Sequence, residues 1–437
     1  MSFFVVAICL VALILLISIA RLNAFLAFVL IAILMGILSG MEITAMVQSL
    51  QKGIGDLLGS LLIIICFGAM QGKILVETGA ARRISEGLIQ VFGVRHLQLA
   101  LLLTGFLVGI PLYYGIGFVL LAPLAISLSV QNRLPAVWLA LPMLSVLSAM
   151  HGFLPPHPSP VALTEQLGAD LGMVLLLGFG VVIPSVFLAG YLFSSTLKNY
   201  IQIPLQTFAN QSVSDAKMPS LANSLIASFL PVVLISLRTV AQVWQVDLIW
   251  LNQLLSIVGE PVIAMTIALL YSILFLGLLN GMVMSKLMEH VASAVQDIAM
   301  ILLVIGASGG LKQVLMDSGL GNDIAAGLSR WEMHPLLLGF IIAALIRLCI
   351  GSATVAGLTA SGIVLPLIAG HSVNPNLMVL SIGAGSLMFS HVNDAGFWLY
   401  KEYFNLSIKD TFKTWTVMET LLGLSGLLIV FLLDSII

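Results

Sequence analysis

The sequence predicts an all-α polytopic membrane protein made of two inverted-topology repeats, with broken helices or re-entrant hairpins near the bilayer midplane. Three observations predict it. Of 437 residues, 60% are hydrophobic and only 8% charged, whereas about a quarter charged is usual for a soluble domain. Motifs recur at a spacing of about half the chain. Equivalent connectors in the two halves carry opposite charge bias.

The recurrence is direct. His151 in Ser148-Ala149-Met150-His151 and His391 in Met388-Phe389-Ser390-His391 lie 240 residues apart, as do Glu77-Thr78-Gly79 and Asp317-Ser318-Gly319. Ile84 and Gly87-Leu88 match Ile324 and Gly327-Leu328 at that spacing, and Pro135 matches Pro375. A drift of a few residues superimposes Gly68-Ala69 on Gly306-Ala307 and Pro123-Leu124 on Pro366-Leu367. Two such halves in a very apolar chain are the pattern of a secondary transporter, whose substrate site forms where the repeats meet. Residues 1–193 are then the N-terminal repeat and 224–437 the C-terminal repeat. The only long polar stretch, 194–223 with Asn210-Gln211-Ser212-Val213-Ser214-Asp215, is the expected cytoplasmic linker.

Apolar runs give spans at 3–20, 22–40, 57–72, 171–193, 224–243, 262–280, 298–310 and 416–433, most of them near the length that crosses a bilayer core. No basic segment precedes Phe3, so the first run is expected to be a retained span and not a cleaved signal peptide. Val47–Asp56 and Met288–Asp297 are amphipathic, which predicts short helices lying along the interface. Leu97–Asn132 holds no Asp, Glu, Lys or Arg and is too long for one span, yet Gly109-Ile110-Pro111, Gly115, Gly117 and Pro123 punctuate it. Its counterpart, Pro335–Ala369, is interrupted by Gly351-Ser352-Ala353-Thr354 and Gly357. Irregular backbone at membrane depth survives only where protein or a watery cavity satisfies it. Each stretch is a candidate substrate segment, against the plainer reading of a Pro/Gly kink.

Charge sets the orientation. Residues 73–96 hold four Lys/Arg (Lys73, Arg82, Arg83, Arg95), whereas 311–334 hold two beside Asp317, Asp323 and Glu332. Val161–Met173 has Glu165 and Asp170 without Lys or Arg, while its partner Lys401–Lys413 has three lysines. Under the positive-inside rule the equivalent loops lie on opposite faces, so the repeats are inverted. Residues 73–96, 194–223 and 401–413 fall in the cytoplasm, with both termini outside.

Two segments at equivalent places carry the candidate chemistry. In His151-Gly152-Phe153-Leu154-Pro155-Pro156-His157-Pro158 three prolines forbid a continuous helix, because each lacks the N–H and clashes with the preceding turn. In Ser390-His391-Val392-Asn393-Asp394-Ala395-Gly396-Phe397-Trp398 an ionisable Asp394 stands amid apolar sequence, where such groups usually face a cavity or a partner. The plain alternative is that His151, His391 and Asp394 only tie opened backbone together. Ser390, His391 and Asp394 do not form a credible hydrolytic triad, since residues this close on one segment need not align and no oxyanion-hole element is evident. Opened helix N-termini suit a carboxylate, while the hydroxyls of Ser352, Thr354, Tyr113 and Tyr114 suit a polyol. Arg347 is either a cationic partner at the site or a side chain that snorkels or pairs elsewhere. No metal or cofactor is expected: His151 with His157, or His391 with Asp394, is nonspecific as a ligand set. Cys9, Cys66 and Cys349 read as core thiols, and a net charge of -2 implies no nucleic-acid partner. The implied partners are a small hydroxylated carboxylate, protons and the lipid bilayer, and a homo-oligomer is compatible with them.

These motifs resemble the gluconate permease family of bacterial inner-membrane symporters, in the ion transporter superfamily. The matching wording is Gly68-Ala69-Met70 with Gly72-Lys73, the His151–Pro158 segment, and Leu311-Lys312-Gln313-Val314-Leu315 with Asp317-Ser318-Gly319. It continues through Gly351-Ser352-Ala353-Thr354-Val355-Ala356, Ser390–Asp394 with Gly396-Phe397-Trp398, Lys401–Leu406, and Thr414-Trp415 to Glu419-Thr420. The resemblance implies a transporter, not an enzyme, importing gluconate or a related sugar acid by proton symport across the inner membrane. A permease for D-serine or another small hydroxy acid is the alternative. Tyr113, Tyr114, His151, His157, Gly351, Ser352, Thr354, Ser390, His391 and Asn393 are the expected substrate contacts. Asp394, His151 and His391 are the expected proton-coupling groups. The chain departs from the family at Gly115, where an acid usually follows the aromatic pair, which leaves Asp394 or a histidine to carry the proton.

Overall fold

The computed structural model describes residues 2–93, 96–198, 218–244, 248–320, 333–370, 373–392 and 394–437. Among these residues the regular structure is helical throughout, with no strand. Eight helices are long and apolar enough to cross a membrane, which agrees with the all-α membrane fold expected from composition.

Helices α1 (Ser2–Ser18) and α2 (Ala24–Leu38) fall on the first two apolar runs. Asn23 caps α2 by accepting from the Phe25 N–H at 2.9 Å, which meets one of the unpaired donors every helix start leaves. Next comes α3 (Ile43–Glu77), a single helix of 35 residues, paired with α13 (Met284–Asp317) of 34 residues. At about 1.5 Å per residue each is some 50 Å long, more than the ~30 Å of a hydrocarbon core. The expected interfacial pieces Val47–Asp56 and Met288–Asp297 are thus corrected: they are the first turns of these two continuous helices. Of their polar residues, Ser49 and Asp297 meet the partner helix, while Gln48, Gln51, Lys52 and Asp56 stay exposed. The Ser49 hydroxyl donates to Asp317 at 2.7 Å and Lys73 pairs with Asp297 at 3.2 Å. These links run head to tail, so α3 and α13 are antiparallel. Between them the backbones touch at glycine: a Cβ on Gly309 would lie 2.5 Å from the Gly53 carbonyl oxygen, the small-residue contact by which membrane helices approach closely.

Helix α4 (Ala80–Phe92) begins at Gly79, which takes φ +77 to turn the chain. The uncharged stretch after it divides into α5 (Leu97–Gly109) and α6 (Tyr114–Asn132). They form a hairpin. A Cβ on Gly109 and one on Gly117 would meet the same Leu147 methyl, at 2.8 and 3.1 Å. Residues eight apart on one straight helix would be about 12 Å apart, so the chain doubles back at Ile110–Tyr113. Leu147 belongs to α7 (Ala136–Phe153), which breaks at Leu154–His157 before α8 (Pro158–Leu167) resumes with Pro158 at its first position, where a missing N–H is harmless. Helix α9 (Leu171–Ser195) closes the first half.

The C-terminal part of the chain is helical in the same way. After α10 (Leu221–Val243), α11 (Ile249–Val258) and α12 (Pro261–Asn280) comes α13, then α14 (Pro335–Ile350), α15 (Ala353–Gly370) and α16 (Pro375–Leu387). The Ser381 hydroxyl donates to the Leu336 carbonyl at 2.6 Å, and a Cβ on Gly385 would meet the Phe340 carbonyl at 2.3 Å. Both contacts share one offset, so α14 and α16 run parallel. Helix α15, joined to each by a short link and packed on both, must run the other way. A second hairpin results, with its tip at Gly351-Ser352. The second break, Met388–Asp394, leads into α17 (Ala395–Tyr403), and α18 (Ile408–Asp434) ends the fold.

The two broken helices cross at glycine. A Cβ on Gly383 of α16 would lie 2.4 Å from the Gly152 carbonyl oxygen of α7. Phe153, one of the largest fully buried side chains, packs against Gly383 at this crossing. Gln166 of α8 fastens the neighbouring layer: its side-chain amide donates to Ser308 of α13 at 2.9 Å, and its side-chain oxygen accepts from Ser361 of α15.

Candidate functional site

Beside this crossing is a cavity of about 310 Å³, built from chain ends. Tyr114 enters from the start of α6, Ser148 and His151 from the last turn of α7, and Arg347 and Ile350 from the last turn of α14. The hairpin tip contributes Gly351, Ser352 and Ala353, the second break Asp394 and Ala395, and α18 contributes Trp415 and Glu419. Three helix N-termini, those of α6, α15 and α17, therefore open on one space. Each turns the positive end of its dipole toward the cavity, a ready site for an anion, and at α17 the Asp394 carboxylate already takes that place.

One ion pair organises the wall. The Arg347 side chain is 4% exposed, and its guanidinium donates to an Asp394 oxygen at 2.5 Å and to the Gly351 carbonyl. The same Asp394 oxygen accepts from the Ser390 hydroxyl, while the other accepts from the Gly396 N–H at 3.0 Å and so caps α17. Gly351 takes φ +83 at the hairpin tip, the left-handed region open to glycine, and this turns its carbonyl toward Arg347. Ser390 is fully buried behind the wall. It accepts from the Trp415 indole at 2.8 Å, and its carbonyl accepts from Thr416 at 2.5 Å. A π-helical turn at Phe412–Thr416 precedes Glu419 in α18, a distortion frequent at functional sites.

The expected residues separate into three groups. Tyr114, His151, Gly351, Ser352 and Asp394 line the cavity. Thr354 stands just behind it, its hydroxyl 3.4 Å from the His151 ring nitrogen Nε2, and Ser390 supports Asp394. Tyr113, His157 and His391 do not line it. The Tyr113 hydroxyl donates to the Ile65 carbonyl at 2.5 Å. His157 is buried with its ring 6.1 Å from that of His151 and 6.3 Å from that of Tyr113. His391 holds the Phe389 carbonyl through Nδ1 at 2.8 Å, and Asn393 lies outside the described residues. Gly115 is exposed, and a Cβ there would meet nothing within 4 Å. Glu419, Ser148 and Trp415 were not singled out by sequence reasoning. The first had a signal: it is the single charge in the apolar run 414–433.

The sequence profile described as GntP family permease matches residues 1–437. The chain belongs to this family. Among its relatives are the "High-affinity gluconate transporter" of Escherichia coli K12, 42% identical over 438 residues and 100% of both chains, and the "Gnt-II system L-idonate transporter" of the same organism, 42% identical over 98% of both. The "Gluconate permease" of Bacillus subtilis is 36% identical over 100% of both chains. In structure the permease resembles the YdaH transporter of Alcanivorax borkumensis, with a TM-score of 0.69, 15% identity and coverage of 95% of this chain and 98% of that one. It also resembles MtrF of Neisseria gonorrhoeae at a TM-score of 0.61, 13% identity and coverage of 88% and 82%. At such identities these two likenesses speak for the fold alone. The permease is accordingly a membrane transporter and not an enzyme.

Proposed function

We propose that this permease imports gluconate or a closely related sugar acid by proton symport across the bacterial inner membrane. The observation that carries the reading is the convergence of three helix N-termini and a buried Arg–Asp pair on one cavity. The pair neutralises itself and caps α17, so the ends of α6 and α15 are left to hold a carboxylate. The hydroxyls of Tyr114, Ser148 and Ser352 in the cavity lining offer both donors and acceptors to a polyol chain. A volume of about 310 Å³ is at the small end of ligand sites, in keeping with a six-carbon acid. Relatives named for gluconate and for L-idonate point to the same substrate class, since these acids differ only in hydroxyl stereochemistry. Competition of labelled gluconate uptake by idonate, glycerate and D-serine tests it. Strong competition by D-serine with none by idonate would overturn the sugar-acid reading.

Ser352→Ala is expected to raise the apparent KM for gluconate several-fold, the equivalent of one hydrogen bond of about 1 kcal/mol, with little change in protein abundance. Ser352→Thr should retain most affinity, because its hydroxyl can still accept from the Val355 N–H as Ser352 does at 3.3 Å. An unchanged KM in the alanine variant would remove Ser352 from the site.

The topology we propose places 1–193 and 224–437 as inverted repeats, with 194–223 cytoplasmic. It is supported by the antiparallel packing of α3 and α13, whose C-terminal ends carry the equivalent motifs Glu77-Thr78-Gly79 and Asp317-Ser318-Gly319. The two hairpins then enter from opposite faces. Cysteines at Glu77 and Asp317, in a background without Cys9, Cys66 and Cys349, should react with an impermeant maleimide from the inside and the outside respectively. Labelling of both from one face would exclude inversion.

A further inference from the structure

The cavity holds a second carboxylate in surroundings unlike those of the first. Asp394 receives hydrogen bonds from a guanidinium, a hydroxyl and a backbone N–H. Its charge is matched by these donors, and α14, the second break and α17 are joined through it. Glu419 lines the same cavity at 1% exposure, and neither of its oxygens has a hydrogen-bond partner among the described residues. The Ser148 hydroxyl faces it only at longer range. A buried ionised carboxylate without partners is costly, whereas a carboxylic acid in the same place costs far less.

The ionisable groups around Glu419 are few. Arg347 comes from α14, His151 from α7, Tyr114 from α6, and Asp394 and Tyr400 from α17 and its cap. Lys413, earlier on α18, is exposed. Tyr191, on the packed end of α9, stacks on Phe187. Helix α16 and the first part of α9, Leu171–Val186, contribute none. The cavity thus contains one cation, already claimed by Asp394, and one unclaimed acid.

Resting on the proton-symport reading, we propose that Glu419 carries the coupled proton while the Arg347–Asp394 pair stays charged as a fixed anchor. An entering sugar acid brings a negative charge to a space whose only cation is paired. Uptake of one proton by the Glu419 carboxylate cancels that charge, so the loaded cavity has the same net charge as the empty one with Glu419 ionised. Release of the acid to the cytoplasm removes the compensation, and the O–H bond of Glu419 gives its proton to water on that side. One proton moves with each monoanion, and no covalent bond other than that O–H is made or broken.

The test compares wild type with Glu419→Gln and Glu419→Asp in proteoliposomes, using labelled gluconate. Accumulation driven by an inward proton gradient is read beside counterflow exchange without a gradient. Wild-type accumulation should collapse with a protonophore. Glu419→Gln should retain measurable counterflow, lose gradient-driven accumulation at least tenfold, and lose the pH dependence of exchange. Glu419→Asp should recover part of the accumulation. Infrared spectra of purified wild type should hold a protonated-carboxyl band with gluconate bound, which Glu419→Asp shifts and Glu419→Gln removes. No such band in wild type, or undiminished accumulation in Glu419→Gln, overturns the assignment. Loss of both accumulation and counterflow in folded Glu419→Gln also overturns it, making Glu419 a binding residue only. Accumulation by wild type that a protonophore leaves untouched instead overturns the symport reading itself, whatever the variants do.

Discussion

Arg347→Ala is expected to abolish gluconate uptake and to lower the yield of folded permease. Its guanidinium joins the last turn of α14, the Gly351 carbonyl at the hairpin tip and the Asp394 cap of α17. Removing one member of a buried pair leaves the other uncompensated, at about 3–5 kcal/mol. That is a large share of the stability of an ordinary domain. Arg347→Lys keeps the charge but has no planar fork to bond Gly351 and Asp394 together, so it should restore abundance more than transport. The measurements are thermal unfolding in detergent and initial uptake rates. Wild-type uptake at normal abundance in the alanine variant would show that the pair is dispensable.

Gly383→Val should be comparably severe for a different reason. Any Cβ there would lie 2.4 Å from the Gly152 carbonyl oxygen, and the obstacle is backbone, which cannot rotate aside as a side chain would. The crossing helices must part. Overpacking of this kind commonly costs about 1–3 kcal/mol, and the cavity lies directly beside the crossing, so both melting temperature and uptake should fall. Gly362→Ala is the matched control, since a Cβ on Gly362 would meet nothing within 4 Å. It should be neutral or slightly stabilising. Equal damage from the two substitutions would argue for general intolerance of side chains in these helices and against a special crossing.

Features whose cause is local were legible in the sequence. Three prolines after Phe153 and the glycines at positions 109 and 351 decide backbone conformation where they stand, so the opening after Phe153 and the interruptions near 109 and 351 could be marked before any packing was known, though not whether the latter were kinks or hairpins. The repeat supplied a second reading of each. What failed was anything decided by a distant partner. Val47–Asp56 looked like an interfacial helix because it is amphipathic, and the helix it packs against, α13, is more than 200 residues away. Arg347 stayed ambiguous because Asp394, which claims it, is 47 positions along the chain. His157 and Tyr113 looked like site residues because they adjoin broken backbone, but the side chains turn into the protein on the far side of His151. Glu419 was passed over for the opposite reason. It interrupts no helix, and attention to opened segments hides an acid set within a continuous one.

The anchoring of Asp394 also gives the cavity a grain. Hairpin tip, broken helix and α18 are riveted on one side by Arg347, Asp394, Ser390, Trp415 and Thr416 in a continuous chain of hydrogen bonds. The first-half side is joined to that block at the cavity by the 3.4 Å contact between Thr354 and His151 and by aromatic faces such as Tyr114 against Trp415. Polar rivets resist shear, while ring faces slide over one another at little cost. The pocket therefore has a seam, where a wall tied by hydrogen bonds meets one that touches it largely through ring faces.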